Sequence, residues 1–371
     1  MIRNSTLRRL TAGMAALALL IVPQQIASAC TGISFKASDG SRVLARSIEW
    51  AAGRLDSRYV IVPRNHEFKS LTPDGNGGMV FKARYGFAGV RVMSDDIVVE
   101  GVNEKGLSAG LFFFPGYGSY AEFDPASRAT TLSDFQVTSW ALASFSTVDE
   151  FIAALPKVKI VGLDRNVGAV HWRFADRTGR QIVMEITGGE VNIYDNPVGV
   201  LTNAPGFQWH LTNLDNYMNL MPAGADGKVW DGISGTYQVK ALSGGSGMLG
   251  LPGDHTSPSR FVRVAVYKST APVPENARAA MLQSFKILEA MVIPVGAVVD
   301  ISADADRSTD MLTSTQFTTC SDIDGLKLYY RTMDNSRIRC IDLNDIDFGK
   351  VKYISAPLDR EKENIEMIKI R

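Results

Sequence analysis

Cys30 follows Ala27-Ser28-Ala29, which places small residues at the two positions a signal peptidase reads. Cleavage after Ala29 would leave Cys30 as the first residue, with a thiol and a free α-amine on one carbon. A model α-amine titrates at roughly 7.7–8.0, so a modest local shift makes it a neutral base beside the sulfur. Nucleophile and base are then one residue, as when a hydroxyl or thiol is activated by its own N-terminus. The competing fate is lipid attachment to Cys30, which gives a non-catalytic, lipid-anchored binding protein. Lipoprotein sites commonly carry Leu three residues before the cysteine, and Ala27 stands there instead. Lipidation would acylate the amine and cap the sulfur, so the two fates exclude each other.

A thiol nucleophile needs charge control, a hold on its amine and donors for the developing oxyanion. The segment ARSIEW places Arg46, Glu49 and Trp50 shortly after Cys30. A guanidinium near the sulfur favours thiolate, and a carboxylate can hold the amine. Arg46 and Glu49 equally fit an ordinary surface ion pair. In LTNAPGFQWH, the Asn203 amide can donate to an oxyanion, although an Asn before Pro also suits a turn. Arg260 opens an amphipathic helix in SPSRFVR, where capping alone explains Ser257 and Ser259. His66, His171, His210 and His255 share no motif, which disfavours a Cys-His pair.

The elements that must position these residues follow an export signal. Arg3, Arg8 and Arg9 precede an apolar run from Leu10 to Pro23 that is too short to span a bilayer. Residues 1–29 are therefore expected to be removed, leaving a periplasmic or secreted protein with no stable membrane anchor. The whole chain of 371 residues balances 39 basic against 39 acidic residues. Losing the leader's arginines leaves it slightly acidic, which argues against nucleic acid or an anionic membrane as the main partner. Apolar residues make up 45%, enough for a substantial core. The absence of phosphate-loop, CxxC and HExxH patterns gives no support for a metal or cofactor.

CTGISFKA, the Asp39-Gly40 turn and RVLARSIEW read as a hairpin. SRYVIVPR, DIVVEGVN and GLSAGLFFF are further strands, the last two joined by a turn from Asn103 to Gly106. Helices are expected over Leu132 to Phe145, then from a Thr147-to-Glu150 capping box to Leu155. VGAVHWRFAD, RQIVMEIT and EVNIYDN continue the hairpin series. SGGSGMLGLPGDH is either a surface loop over a pocket or a plain connector. Helices over Ser259 to Lys268 and Glu275 to Met291 come next. TQFTTCSDI, KLYYRTM and SRIRCIDL then form a meander that sets Cys320 and Cys340 two strands apart. Two spacings of ~4.8 Å exceed what a disulfide tolerates, so both cysteines are expected as small apolar core residues. Hairpins dominate, which favours an α+β arrangement of antiparallel sheets covered by helices.

CTGISF, ARSIEW, GVNEKGLSAGLFFFPGY, LTNAPGFQWHLTNLDNY and PGDHTSPSRFVR occur in this order across nearly the whole mature chain. Together they closely resemble the choloylglycine hydrolase family of the N-terminal nucleophile hydrolases, which holds conjugated bile acid hydrolases and penicillin V acylases. The leader ending at the cysteine is similar to the Gram-negative exported branch. The resemblance implies one domain, 30–371, with a four-layer αββα sandwich, no cofactor, no metal, and assembly as a homotetramer. It implies Cys30 as nucleophile with its amine as base, Arg46 flanking it, Asn203 at the oxyanion and Arg260 supporting the network. Two departures stand out. Glu49 occupies the place of a family aspartate. Phe112 stands where Asn or Tyr is common, leaving its backbone N–H for the oxyanion. Trp50, Phe112 and Phe114, with Phe113 and Tyr117, are expected to wall the substrate pocket. Conjugated bile salts are the first substrate class, ahead of penicillin V and N-acyl homoserine lactones.

Overall fold

The computed structural model describes residues 29–50, 54–95, 97–164, 168–299, 312–361 and 363–370. The expected leader, 1–29, lies outside these except for Ala29. That residue opens strand β1 (Ala29–Lys36), which turns back through Asp39 and Gly40 into β2 (Arg42–Trp50). The turn closes because Gly40 takes a φ of +90° and Asp39 Oδ1 accepts from Ser41 N at 2.9 Å. Ala29 pairs with Glu49, Cys30 with Ile48 and Gly32 with Arg46. Strand alternation therefore puts Cys30 and Arg46 on one face of the hairpin, and Thr31, Ser47 and Glu49 on the other.

β1 and β2 are central to a seven-stranded sheet. Val200–Leu201 flanks β1, while Leu312–Asp322, Lys327–Thr332 and Arg339–Asp342 continue outward from β2. An eight-stranded sheet lies beneath it, running from Glu190–Asp195 through Ser108–Phe113 and Val98–Asn103 to Ile354–Pro357. Every pairing within the main paths of the two sheets is antiparallel. The helices cover the outer faces. Helix α1 (Val137–Ser144) packs on the larger sheet, with α2 (Val148–Ala154) following it. Next in the chain is α3 (Phe207–Leu214). α4 (Ser257–Thr270) and α5 (Ala277–Glu289) pack on the sheet that holds β1. The result is the four-layer αββα sandwich that the family resemblance implies. A strand covered on both sides is buried along its length, which is why β1 and β2 hide residues of both parities.

Several expectations shift. The helix expected over Leu132 to Phe145 shortens at its start, because Thr131–Ser133 pairs in parallel with Lys159–Val161. Ser133 then caps a 3₁₀ turn by accepting from Phe135 N, and the α-helix begins at Val137. Thr147 caps α2 as expected, but Glu150 reaches back to Ser146 N at 2.8 Å instead of to Thr147. Asn276 caps α5, so that helix starts at Ala277.

The C-terminal meander forms as expected, and pairing sets Cys320 opposite Tyr329 and Tyr329 opposite Cys340. All three cysteines are free, and Cys320 is buried. Cys340 is exposed, a correction: its strand is the outer edge of the sheet, so only one flank is covered. Native alkylation of a Cys30→Ala variant should therefore label Cys340 alone, and Cys320 only after unfolding, as read by intact mass.

Candidate active site

Arg46 is fully buried between the sheets. Its Nη2 lies 2.7 Å from Cys30 Sγ, and its Nη1 donates to Leu111 O at 2.5 Å and Val99 O at 3.2 Å. The guanidinium carbon sits 4.2 Å from the centre of the Phe112 ring. Below it, Arg173 Nη2 contacts both oxygens of the buried Glu100 at 3.1 and 3.3 Å, and Glu100 lies 4.0 Å from Arg46. The Arg46–Glu49 ion pair considered from sequence does not form, because strand alternation sends the two side chains to opposite faces.

Burial raises the Cys30 thiol above its ordinary value, and Arg46 opposes this without overcoming it. A hydrogen bond from the Phe113 backbone and the charge of Arg260 pull the same way as Arg46, while Glu49 pushes the thiol further up. The guanidinium favours thiolate as expected, but desolvation outweighs it.

On the opposite side, Arg260 at the head of α4 is also buried. Its Nη1 donates to Cys30 O and Thr31 Oγ1, both at 2.5 Å, and its Nη2 donates to Asn203 Oδ1 at 2.8 Å. Asn203 Oδ1 also accepts from Cys30 N at 2.9 Å, while Nδ2 donates to Phe113 O at 2.7 Å. One amide therefore holds the backbone of the cysteine and of Phe113. Glu49 is wholly buried and accepts from Thr315 Oγ1 at 3.2 Å. Burial raises its carboxyl, with Arg260 the main charge opposing the shift.

The turn bearing Asn203 is fixed by groups whose sequence context did not point to that part. Ser257 Oγ accepts from Asn203 N at 2.9 Å and bonds Thr202 Oγ1, so Ser257 anchors the turn and does not cap the helix. His171 bridges Glu185 Oε1 and Thr202 O, each at 3.2 Å. His210 Nε2 donates to Asn203 O at 2.9 Å, which fixes its neutral tautomer, and burial drives its pKa down to about 4. Neither ring bonds the thiol. Among the described residues no cluster of His, Cys, Asp and Glu suits a metal ion.

Cys30 and Arg46 line a cavity of about 700 Å³ with Trp50, Ile97, Leu111 and Phe113. Thr72, Pro73 and Gly75 of one loop and Leu163 and Asp164 of another are also part of the lining. The aromatic wall is corrected here. Phe112 is fully buried under Arg46 and against Gly32, since it faces away from its neighbour Phe113. Phe114 is buried and stacks on His171 with centroids 4.4 Å apart. Tyr117 packs on Phe114 and does not line the cavity. Trp50 and Phe113 do line it. Phe113, not Phe112, also offers its backbone to the sulfur. The glycine-rich stretch 243–255 stays off this cavity, though His255 O accepts from Arg260 Nε at 3.0 Å.

The chain matches the family described as linear amide C–N hydrolases, choloylglycine hydrolase family, over residues 30–357. It belongs to that family. The chain is 31% identical to a bile salt hydrolase/transferase of Clostridium perfringens, over 87% of this chain and 95% of that one. A penicillin V acylase of Pectobacterium atrosepticum is 25% identical over 97% of this chain and 93% of its own. A crystal structure of a conjugated bile acid hydrolase variant from Clostridium perfringens superposes with a TM-score of 0.77 at 28% identity. It covers 92% of this chain and all of that one. The protein is accordingly a hydrolase of linear amide C–N bonds. Among the described residues, no helix is long and apolar enough to cross a membrane.

His210 makes a prediction about stability. The imidazole titrates near 6.5 when unfolded and near 4 when folded, so the unfolded chain holds more protons between those values. Its contribution is complete above about 6.5 and shrinks as pH falls towards 4, by about 3 kcal/mol at most. Urea denaturation of wild type and His210→Gln across that window should converge as pH drops. Parallel curves would refute the assignment.

Proposed function

We propose that this protein is an exported N-terminal-cysteine amidase whose first substrate class is conjugated bile salts. The observation that carries the mechanism is the meeting, at one residue, of Arg46 on the sulfur and Asn203 on the nitrogen. The family match beginning at Cys30 supports cleavage after Ala29. That cleavage would free the amine and remove the residue that faces Glu49 across the hairpin. The carboxylate would then help Asn203 hold the amine.

The burial-raised thiol passes its proton to the neutral α-amine as the sulfur attacks the amide carbonyl. The oxyanion takes the Phe113 N–H and the second N–H of Asn203 Nδ2. The amine then protonates the departing nitrogen, and water, deprotonated by the same amine, cleaves the thioester. Arg260 orients the cysteine carbonyl and Asn203, while Arg46 stabilises the sulfur as charge develops.

Bile salts lead because the cavity is large and mainly apolar, which suits a rigid steroid, and because the curated relatives include several bile salt hydrolases. Penicillin V is the second reading, supported by the Pectobacterium relative that spans 97% of this chain. Apolar fit discriminates by only roughly 1–3 kcal/mol per methylene-sized difference, so overlap is expected. The test is a kcat/KM panel on the mature protein with glycocholate, taurocholate, penicillin V and a long-chain acyl homoserine lactone. Bile conjugates should lead. A tenfold advantage for either of the others would move the substrate assignment and leave the mechanism intact.

Two sets of variants address the site. Cys30→Ala should fold, be exported and lose more than about 10⁴-fold in kcat. Glu49→Gln should fall by about tenfold or more in kcat/KM, with Glu49→Asp retaining more than Glu49→Ala. Equal rates in all three Glu49 variants would remove it from the amine's support.

A further inference from the structure

A second cavity, of about 380 Å³, opens beside the end of β1 farthest from Cys30 and shares no lining residue with the first. Lys268, in the last turn of α4, points its Nζ here and donates to Val198 O at 2.6 Å. That bond uses one of three ammonium donors. Among the described residues no carboxylate pairs with Lys268, and burial lowers its pKa to about 8. Gln181 also lines the cavity. Its Oε1 accepts from Ser34 Oγ at 2.8 Å, while its Nε2 is buried with no acceptor. Gly199, with a φ of +65°, lets Lys268 Nζ and Ser34 Oγ close in on its backbone. A Cβ there would lie 2.3 Å from both Lys268 Nζ and Ser34 Oγ.

Of the other charged side chains lining the cavity, Lys36 is exposed at the end of β1 and the rest are partnered. Arg42 pairs with Asp324 at 3.1 Å, and Arg180 pairs with Asp149 and Asp195. Asp176 accepts from Val148 N and from Thr178 N, which takes up its carboxylate. The unmet groups at the centre are thus donors, one of them cationic. Buried donors without acceptors mark a place where a ligand can supply them.

We propose that this cavity binds a small oxyanion, a phosphate or a carboxylate, between Lys268 Nζ and Gln181 Nε2. One oxygen answers the ammonium and a second answers the amide. The site is separate from the amidase centre and involves none of its residues.

Calorimetric titration of the mature protein with inorganic phosphate, and separately with acetate, at fixed ionic strength tests this. One equivalent should bind per chain, more weakly above pH 8 as the amine loses its proton. Tighter binding of phosphate assigns a phosphate ligand and tighter acetate a carboxylate; either upholds the site. Gln181→Glu keeps the side chain's shape and the Ser34 bond but sets a carboxylate beside Lys268. It should weaken binding at least about tenfold with amidase activity unchanged, and Lys268→Met should do the same. No saturable binding to wild type, or equal affinity in Gln181→Glu, would overturn the proposal.

Discussion

Arg46 carries a charge into the space between two sheets, where an unpaired ion is costly, and the site is arranged around meeting that cost. Its donors go to Leu111 O and Val99 O on the opposing sheet and to Cys30 Sγ on its own. Phe112 lies flat beneath it, and the Arg173–Glu100 pair stands behind. Each of these contacts fixes the cysteine with respect to the larger sheet. The strand Ser108–Phe113 is drawn to the same guanidinium through Leu111, which brings the Phe113 backbone to the sulfur. Packing and electrostatics therefore impose one register on both sheets.

Arg260 does the complementary work from the helical side. It grips the cysteine carbonyl and the Asn203 amide, so that sulfur, nitrogen and carbonyl of one residue are each held by a different side chain. With both arginines this near, the thiol still lies above its ordinary value, because burial outweighs them. A buried neutral thiol needs a base within reach. His171 and His210 are spent on the carbonyls of Thr202 and Asn203, so neither ring serves. In the proposed mechanism, the α-amine that cleavage would create takes that proton.

The hairpin of β1 and β2, the alternation of hairpins, α4 and α5 and the C-terminal meander were legible because turn residues and apolar periodicity are local. Cys30, Arg46, Asn203 and Arg260 were legible through family-like segments, and the structure brings all four together. What was not legible depends on which way a side chain points. Phe112 and Phe113 are neighbours of one type, and strand alternation, set by pairing with distant strands, decides which meets the cavity. Ser257 reads as a cap in sequence and acts as an anchor for a turn 54 positions away. Glu100, Arg173, Glu185 and His171 are scattered polar residues that only the sandwich assembles. The cavity rim at Thr72–Gly75 and Leu163–Asp164 belongs to loops without periodicity.

The central claim is that freeing the α-amine of Cys30 creates the base. The most direct measurement compares kcat for protein beginning at Cys30 with protein that retains Ala29, both verified by intact mass. Retention keeps the thiol, Arg46 and Asn203 but turns the amine into a peptide nitrogen with no basicity. The account predicts turnover by the first form and none by the second. Equal turnover by both would assign the proton to another group and contradict the account.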